Sequence, residues 1–407
     1  MGSRTKTRVI SGRPFLQIPG PTLVPERIAR AMSQSIIDHR GPKFAALLHE
    51  VLEGLKGIFQ TTQGHIVVYP GSGTAAWEAC VVNTLSPGDR VLGCVNGHFS
   101  TLFCQTAKSF GIEMEVLEVP YGLGIRAAQL EDRLRADVNH EIKAVLVVHN
   151  ETSTGVTTDI GALRNALDHV NHPALLLVDA VSSVGSIDFR FDEWRVDVAL
   201  AGAQKGLMLP PGVAILTVSE SALEASKSAR CPRSFWDWAP VLERNVRGEF
   251  PSTPVTAHFF GLKESLAMLT EEGLPNVFQR HARLAEACRC AIKAMGLKLL
   301  AQNPAEYSNT LTAVCMPAGF DSDDFVVHAH DSLDISLGIG LGKVKGKVFR
   351  IGHLGSLNEL ELLGALAGVE MTLKSFGVPV PVGAGLTAAE TYLLETAPAV
   401  SRRRDEN

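Results

Sequence analysis

The apolar run ALLLVD ends on Asp179, and 26 residues later Lys205 follows a second apolar run, VALAGA, within Ala203-Gln204-Lys205-Gly206. A carboxylate delivered from an apolar run needs a partner, because desolvating an unpaired charge costs several kcal/mol. By itself Asp179 also fits a helix cap or a metal ligand. A lysine flanked by small residues at a strand exit is poorly explained as a solvated surface group. A strand, Asp, helix, strand, Lys unit sets both side chains at one sheet edge. That is the pairing a pyridoxal-phosphate (PLP) site requires, the acid keeping the ring nitrogen protonated and the amine forming the imine.

A second candidate is Gly71-Ser72-Gly73-Thr74, between the run HIVVYP and the helical stretch AAWEACVVNTL. Glycines let the backbone approach a ligand, and the free N–H groups of a helix start favour a phosphate. The same residues could form a capped strand-to-helix turn. Gly71, Gly73 and Ala76 also satisfy the weaker dinucleotide fingerprint, so an NAD-dependent Rossmann dehydrogenase is the rival reading. That reading expects an acidic residue at the end of the next strand, where Asn96 stands.

The elements that must position these residues follow from the pattern. Between about residues 44 and 215, the runs HIVVYP, RVLGCV, AVLVVH, ALLLVD and VALAGA alternate with helix-like stretches. Such continuous apolar runs suit strands of a mainly parallel sheet buried on both faces. Open sheets of this kind bind ligands beyond the carboxyl ends of their strands. There the chain reads GSGT, NGHFS, NETSTG, DAVSS and QKG. The expected organisation is an N-terminal arm (1–24), a large α/β domain (25–272) and a smaller α+β domain (273–407). The last of these carries helices over NVFQRHARLAEACRCAIKAMG and NELELLGALAGVEMTLKSFG and strands in NTLTAVCM, DISLG and KVFRIG.

The bulk properties narrow the classes. With 407 residues, 45% hydrophobic and 20% charged, the chain has ordinary globular usage. Its net charge of -5, with Lys and Arg dispersed, offers no footprint for nucleic acid. Seven cysteines, none in a C-x-x-C pair, suit a reduced intracellular protein. No stretch approaches a membrane span, and the start MGSRTKTRVISGRP lacks the apolar region of a leader. Lys6 stands where a myristoylation signal wants Ser or Thr. A soluble, cytoplasmic protein with a fraying SRRRDEN tail is expected.

The segments PGPTLVPERI, GSGTAAWEA, NETSTGV, LLLVDAVSSVGS, AGAQKGLMLPPG, STPV and GKVFRIGHLG closely resemble the class V aminotransferases that use glyoxylate. The resemblance runs from about residue 17 to 395 and is nearest to the enzymes that take serine, with those that take alanine or aspartate close by. It implies the fold type I of PLP-dependent transferases and a homodimer with its active sites at the interface. By position it implies Lys205 as the cofactor's imine partner and general base, Asp179 on the ring nitrogen, and Thr152 facing the ring oxygen. Ser72, Gly73, Thr74 and Gln204 would hold the phosphate, with Thr253 reaching it from the other subunit. Arg350 would pair with the substrate carboxylate, and Gly20 would line the substrate pocket. The implied reaction moves the amino group of L-serine to glyoxylate by a ping-pong cycle.

Two positions depart from the relatives' pattern. Phe99 stands where some carry a Trp stacked on the ring and still offers an aromatic face. Phe250 stands where they carry a Tyr whose hydroxyl reaches the phosphate across the dimer, so that donor is lost. Other features carry less. His328 and His330, two apart on a helix, point to different sides, so no metal is expected. GIGLGKVKGK lacks the spacing of a P-loop and reads as a loop. G-x-S-x-G is absent near the strand ends, against an α/β-hydrolase. The cysteines read as structural thiols rather than a desulfurase nucleophile. A non-catalytic ligand-binding module on the same fold is the remaining alternative, against which the set Lys205, Asp179 and Arg350 argues.

Overall fold

Side-chain alternation along each apolar run sends neighbouring residues to opposite faces, so a run apolar throughout must be covered on both. In a computed structural model, which describes Gly12 and residues 14–397, these runs form a seven-stranded sheet. Its spatial order is His65–Gly71, Gly212–Val218, Val198–Gly202, Leu175–Asp179, Ile142–Val148, Arg90–Val95 and Glu113–Glu118. Neighbours from Val198–Gly202 to Glu113–Glu118 pair in parallel, and Gly212–Val218 is antiparallel to both of its partners. Val68, Leu92, Val145, Val147, Leu176, Val178 and Ile215 enter one core. The intervening Val67, Val91, Ala144, Leu146, Leu177 and Leu216 enter a second core on the other face.

Two strands of this sheet exceed the five expected. Glu113–Glu118 (EMEVLE) lies at the sheet edge, where its three glutamates, two of them exposed, break the apolar signal. Gly212–Val218 turns back antiparallel directly after the Lys205 loop.

The second sheet has five strands in the order Phe15–Gln17, Ile335–Ile339, Val348–Gly352, Leu311–Cys315 and Lys298–Leu299. The helices Leu274–Ala294 and Glu359–Ser375 pack on it around Leu284, Phe325, Phe349, Ile351 and Leu366. Asn358 caps the second of these helices by accepting from Glu361 N at 3.0 Å. The arm is thus part of this sheet, since Phe15–Gln17 pairs in parallel with Ile335–Leu337. The stretch GIGLGKVKGK is not wholly loop: Gly338 and Ile339 complete a strand, and a 3-10 turn covers Gly342–Val344.

Among the described residues no helix is long and apolar enough to cross a membrane. Five of the seven cysteines are buried. The start weighed for leader and lipid signals, and the SRRRDEN tail, lie outside the described residues apart from Gly12 and Pro14.

Candidate active site

Parallel strands that share a direction deliver their final residues to one rim. Asp179 ends its strand in register with Val148 on one side and Leu200 on the other. The cavity at this rim is lined by Asp179, Lys205, Gln204, Thr152, Phe99, Gly20 and the Ser72-Gly73-Thr74 turn. It takes in about 710 Å³ of space, part of it open to solvent. Nine of the residues singled out from sequence therefore meet at one place.

Asp179 is buried, and each carboxylate oxygen has one donor. Val181 N reaches Oδ1 at 2.8 Å and Trp77 Nε1 reaches Oδ2 at 2.8 Å. Burial pushes its pKa up to about 6, against the pull of these donors and of Lys205 and with a push from Glu151. Lys205 donates from Nζ to the carbonyl of Pro19. Burial lowers its ammonium to about 8, aided by the Arg350 charge and opposed by Asp179. An amine that titrates near pH 8, at the same sheet rim as a carboxylate, is suited to proton transfer and to covalent attachment of a carbonyl compound.

Gly20 approaches this lysine so closely that a Cβ would lie 2.5 Å from Lys205 Cδ, and its φ of +97° also suits glycine. The arm is tied down on both sides of it, by Gln17 Nε2 to Gly352 O at 2.7 Å and by Thr22 N to Gln204 O at 3.1 Å.

The helix Gly73–Thr84 opens at the cavity, and its N-cap Ser72 makes no side-chain capping bond. Its first N–H groups are left to an anion. Gly73 is needed for space, since a Cβ there would lie 2.8 Å from Val181 Cγ2. These features fit PLP. Lys205 would hold its aldehyde carbon and Asp179 its ring nitrogen. The uncapped turn suits its phosphate, and Phe99 and Val181 offer apolar surface for the ring.

Arg350 comes from the second sheet. It is buried and donates from Nη1 to Thr152 O at 3.0 Å and from Nε to Ile339 O at 2.8 Å. Burial lowers it to about 10, with Glu151 opposing, so it stays cationic at neutral pH. The Phe250 ring instead packs on Phe44 and Phe259, at centroid distances of 6.3 and 5.6 Å, and Thr253 is exposed. Neither lines the Lys205 cavity of its own chain.

Sequence reasoning missed four contributors. Trp77 follows Gly73 by one helical turn, so the spacing alone put it on the cavity side. Asn150 and Ser182 line the cavity and bond to each other, Nδ2 to Oγ at 2.8 Å, while Asn150 also reaches Thr310 Oγ1 of the second sheet's lead-in at 2.8 Å. Glu151 is fully buried and accepts from Ser100 N, Ser100 Oγ, Ser153 N and Ser153 Oγ at 2.7–3.1 Å. It thereby joins the Thr152 loop to the start of the helix His98–Ser109, which carries Phe99. Asn96, in the place where a dinucleotide fold would carry its ribose-binding acid, is buried. His328 Nε2 lies 2.8 Å from Ser375 Oγ, and His330 pairs with Asp331 and Asp334.

Comparison with known proteins adds to this geometry. The family model for aminotransferase class V matches residues 15–342. The chain is 49% identical over 389 residues to a serine–glyoxylate aminotransferase of Methylorubrum extorquens, covering 94% of this chain and 97% of that one. It is 46% identical to an L-aspartate–glyoxylate aminotransferase of Paracoccus denitrificans, covering 95% and 98%. Among solved structures, a pyridoxamine–pyruvate aminotransferase of Mesorhizobium loti superposes with a TM-score of 0.89 at 28% identity, covering 95% of this chain and 98% of that one.

Proposed function

The chain belongs to the class V aminotransferase family, and on that premise we propose that it transfers the amino group of L-serine to glyoxylate, yielding hydroxypyruvate and glycine. The observation that carries the reading is the meeting of Lys205, Asp179 and the uncapped Ser72-Gly73-Thr74 turn in one cavity, with Arg350 anchored to the backbone of Thr152, which lines it. PLP, when bound, supplies the electron sink that lets an amino acid lose its Cα proton. Lys205 would hold the cofactor covalently, and its free Nζ, lowered to about 8, would carry that proton. Arg350 orients the α-carboxylate of donor and acceptor in turn, because both substrates share that group. Gly20, which must lack a Cβ to pass this close to Lys205, would line the substrate pocket through its backbone.

The donor's side chain is read less directly. Among the described residues Lys205 lines the cavity and Arg350 is anchored on its Thr152 loop. With the first assigned to the cofactor and the second to the α-carboxylate, a β-carboxylate would need a further cation to offset its desolvation, which supports serine over aspartate. The relatives named for serine at 46–49% identity support the same donor. The deciding measurement is kcat/KM for L-serine, L-alanine and L-aspartate at fixed glyoxylate. A preference for aspartate would overturn the donor and leave the aminotransferase assignment untouched.

The same proposal includes the assembly. The exposure of Thr253, outside its own chain's cavity, supports a homodimer in which this residue of each subunit reaches the other's phosphate site. Light scattering that gives a monomer at micromolar concentration would overturn it. A cytoplasmic location is the corresponding proposal for the compartment, tested by cell fractionation.

A further inference from the structure

Trp77 reads at first as a packing residue. It is 4% exposed, and its ring stacks on Phe103 with centroids 5.6 Å apart and planes at 18°. Phenylalanine would satisfy that role. The indole N–H does something packing does not require, since it ends on Asp179 Oδ2 at 2.8 Å. Val181 N holds the other oxygen at the same distance. With one donor on each oxygen, the carboxylate plane is fixed, and the second lone pair of each oxygen is left for a ligand. The ring itself lines the cavity.

We propose that Trp77 is a positioning residue for the amino transfer: its N–H aims Asp179 Oδ2 at the bound cofactor's ring nitrogen and holds negative charge on that oxygen. The inference rests on the PLP reading above. A hydrogen bond donated to a carboxylate favours its charged form, so Trp77 acts against the burial that would neutralise Asp179. The charged groups that bear on the carboxylate are Glu151, which disfavours its ionisation, and Lys205, which favours it. Arg350 acts on Lys205 rather than on Asp179 directly. Without the indole donor, a proton shared between carboxylate and ring nitrogen moves toward the carboxylate, and the ring loses its positive charge.

The test is equilibrium dialysis of PLP against wild-type protein, Trp77→Phe and Phe103→Leu between pH 5.5 and 8.5, with circular dichroism to verify the fold. Trp77→Phe keeps an aromatic ring and removes the donor, whereas Phe103→Leu disturbs the stack and leaves the donor. The expected result is a half-retention pH raised by roughly one unit in Trp77→Phe, and a wild-type profile in Phe103→Leu. An unchanged profile in Trp77→Phe, or a loss equal at every pH, would overturn the inference and return Trp77 to packing. If Trp77→Phe does not fold, a benzothienyl side chain incorporated at position 77, which keeps the bicyclic shape and replaces N–H by sulfur, decides by the same shift. Wild-type protein that retains no PLP at any pH would overturn the cofactor reading instead.

Discussion

Arg350 of the second sheet donates to the main-chain carbonyl of Thr152, 3.0 Å away and 198 positions earlier, so a cation from one sheet is fixed by a loop at the rim of the other. Its Nε bond to Ile339 O makes the anchoring two-point. A guanidinium held this way has lost its rotamer freedom before any carboxylate arrives.

Removing that cation separates substrate binding from cofactor binding. Arg350→Ala is expected to lower kcat/KM for L-serine by about 100-fold or more, on the order of 3 kcal/mol. PLP absorbance of the purified variant should match wild type. An equal loss of cofactor would make Arg350 structural.

Lys205 is expected to be the site at which borohydride fixes the cofactor, and peptide mass spectrometry of the reduced protein locates the adduct. In cofactor-free protein the same amine, lowered to about 8, should react with an acylating reagent near pH 8 while exposed lysines lag behind. An adduct on another lysine would remove the central claim.

Asp179 carries a stability cost that a simple variant exposes. Its folded value, about 6, lies above the ordinary 3.8, so the folded protein binds this proton more tightly than the unfolded chain. The penalty is absent well below pH 3.8, grows as pH rises through the window up to 6, and is complete above it. Relative to wild type, cofactor-free Asp179→Asn should therefore gain stability across that rise, by on the order of 2 kcal/mol. Denaturant melts at pH 4 and pH 7.5 measure the change; a constant difference between the two proteins refutes it.

Glu151 is predicted to matter through what it accepts. Glu151→Ala would strand the Ser100 and Ser153 donors in a buried place, at about 1–3 kcal/mol each. A loss of several degrees in Tm is expected, with a weakened hold on PLP because Phe99 and Thr152 are both moored there. Glu151→Gln, which still accepts, should recover part of the loss. A melting temperature unchanged in Glu151→Ala would contradict this account.

How much of this was legible before the structure depends on the kind of signal each residue carries. Asp179 and Lys205 stand out because strands buried on both faces are apolar throughout, and a carboxylate and an amine at the ends of two such runs can serve as each other's partner. The alternation of Val67 and Val68 into separate cores was implicit in the same runs. Trp77 was hidden by the opposite circumstance, since an aromatic within a helical stretch is what a core supplies anyway. Glu151 in NETSTG reads as loop polarity, and nothing local says that its four donors come from two separate segments. The strand Phe15–Gln17 has three residues and a partner some 320 positions away, so no window of sequence contains the pair.

That short strand also determines how the molecule would respond to force. Phe15–Gln17 lies parallel to Ile335–Leu337, and the chain then runs directly past Lys205, whose amine it meets at Pro19 O. A pull on the N-terminus loads the strand's hydrogen bonds together in shear and, when they yield, peels Gly20 and Thr22 from Lys205 and Gln204 while the cores on both faces of the seven-stranded sheet are still intact. In an optical trap the first rupture would therefore be chemical in its consequence: the extension of a few residues would open the lysine to solvent long before the molecule unfolds.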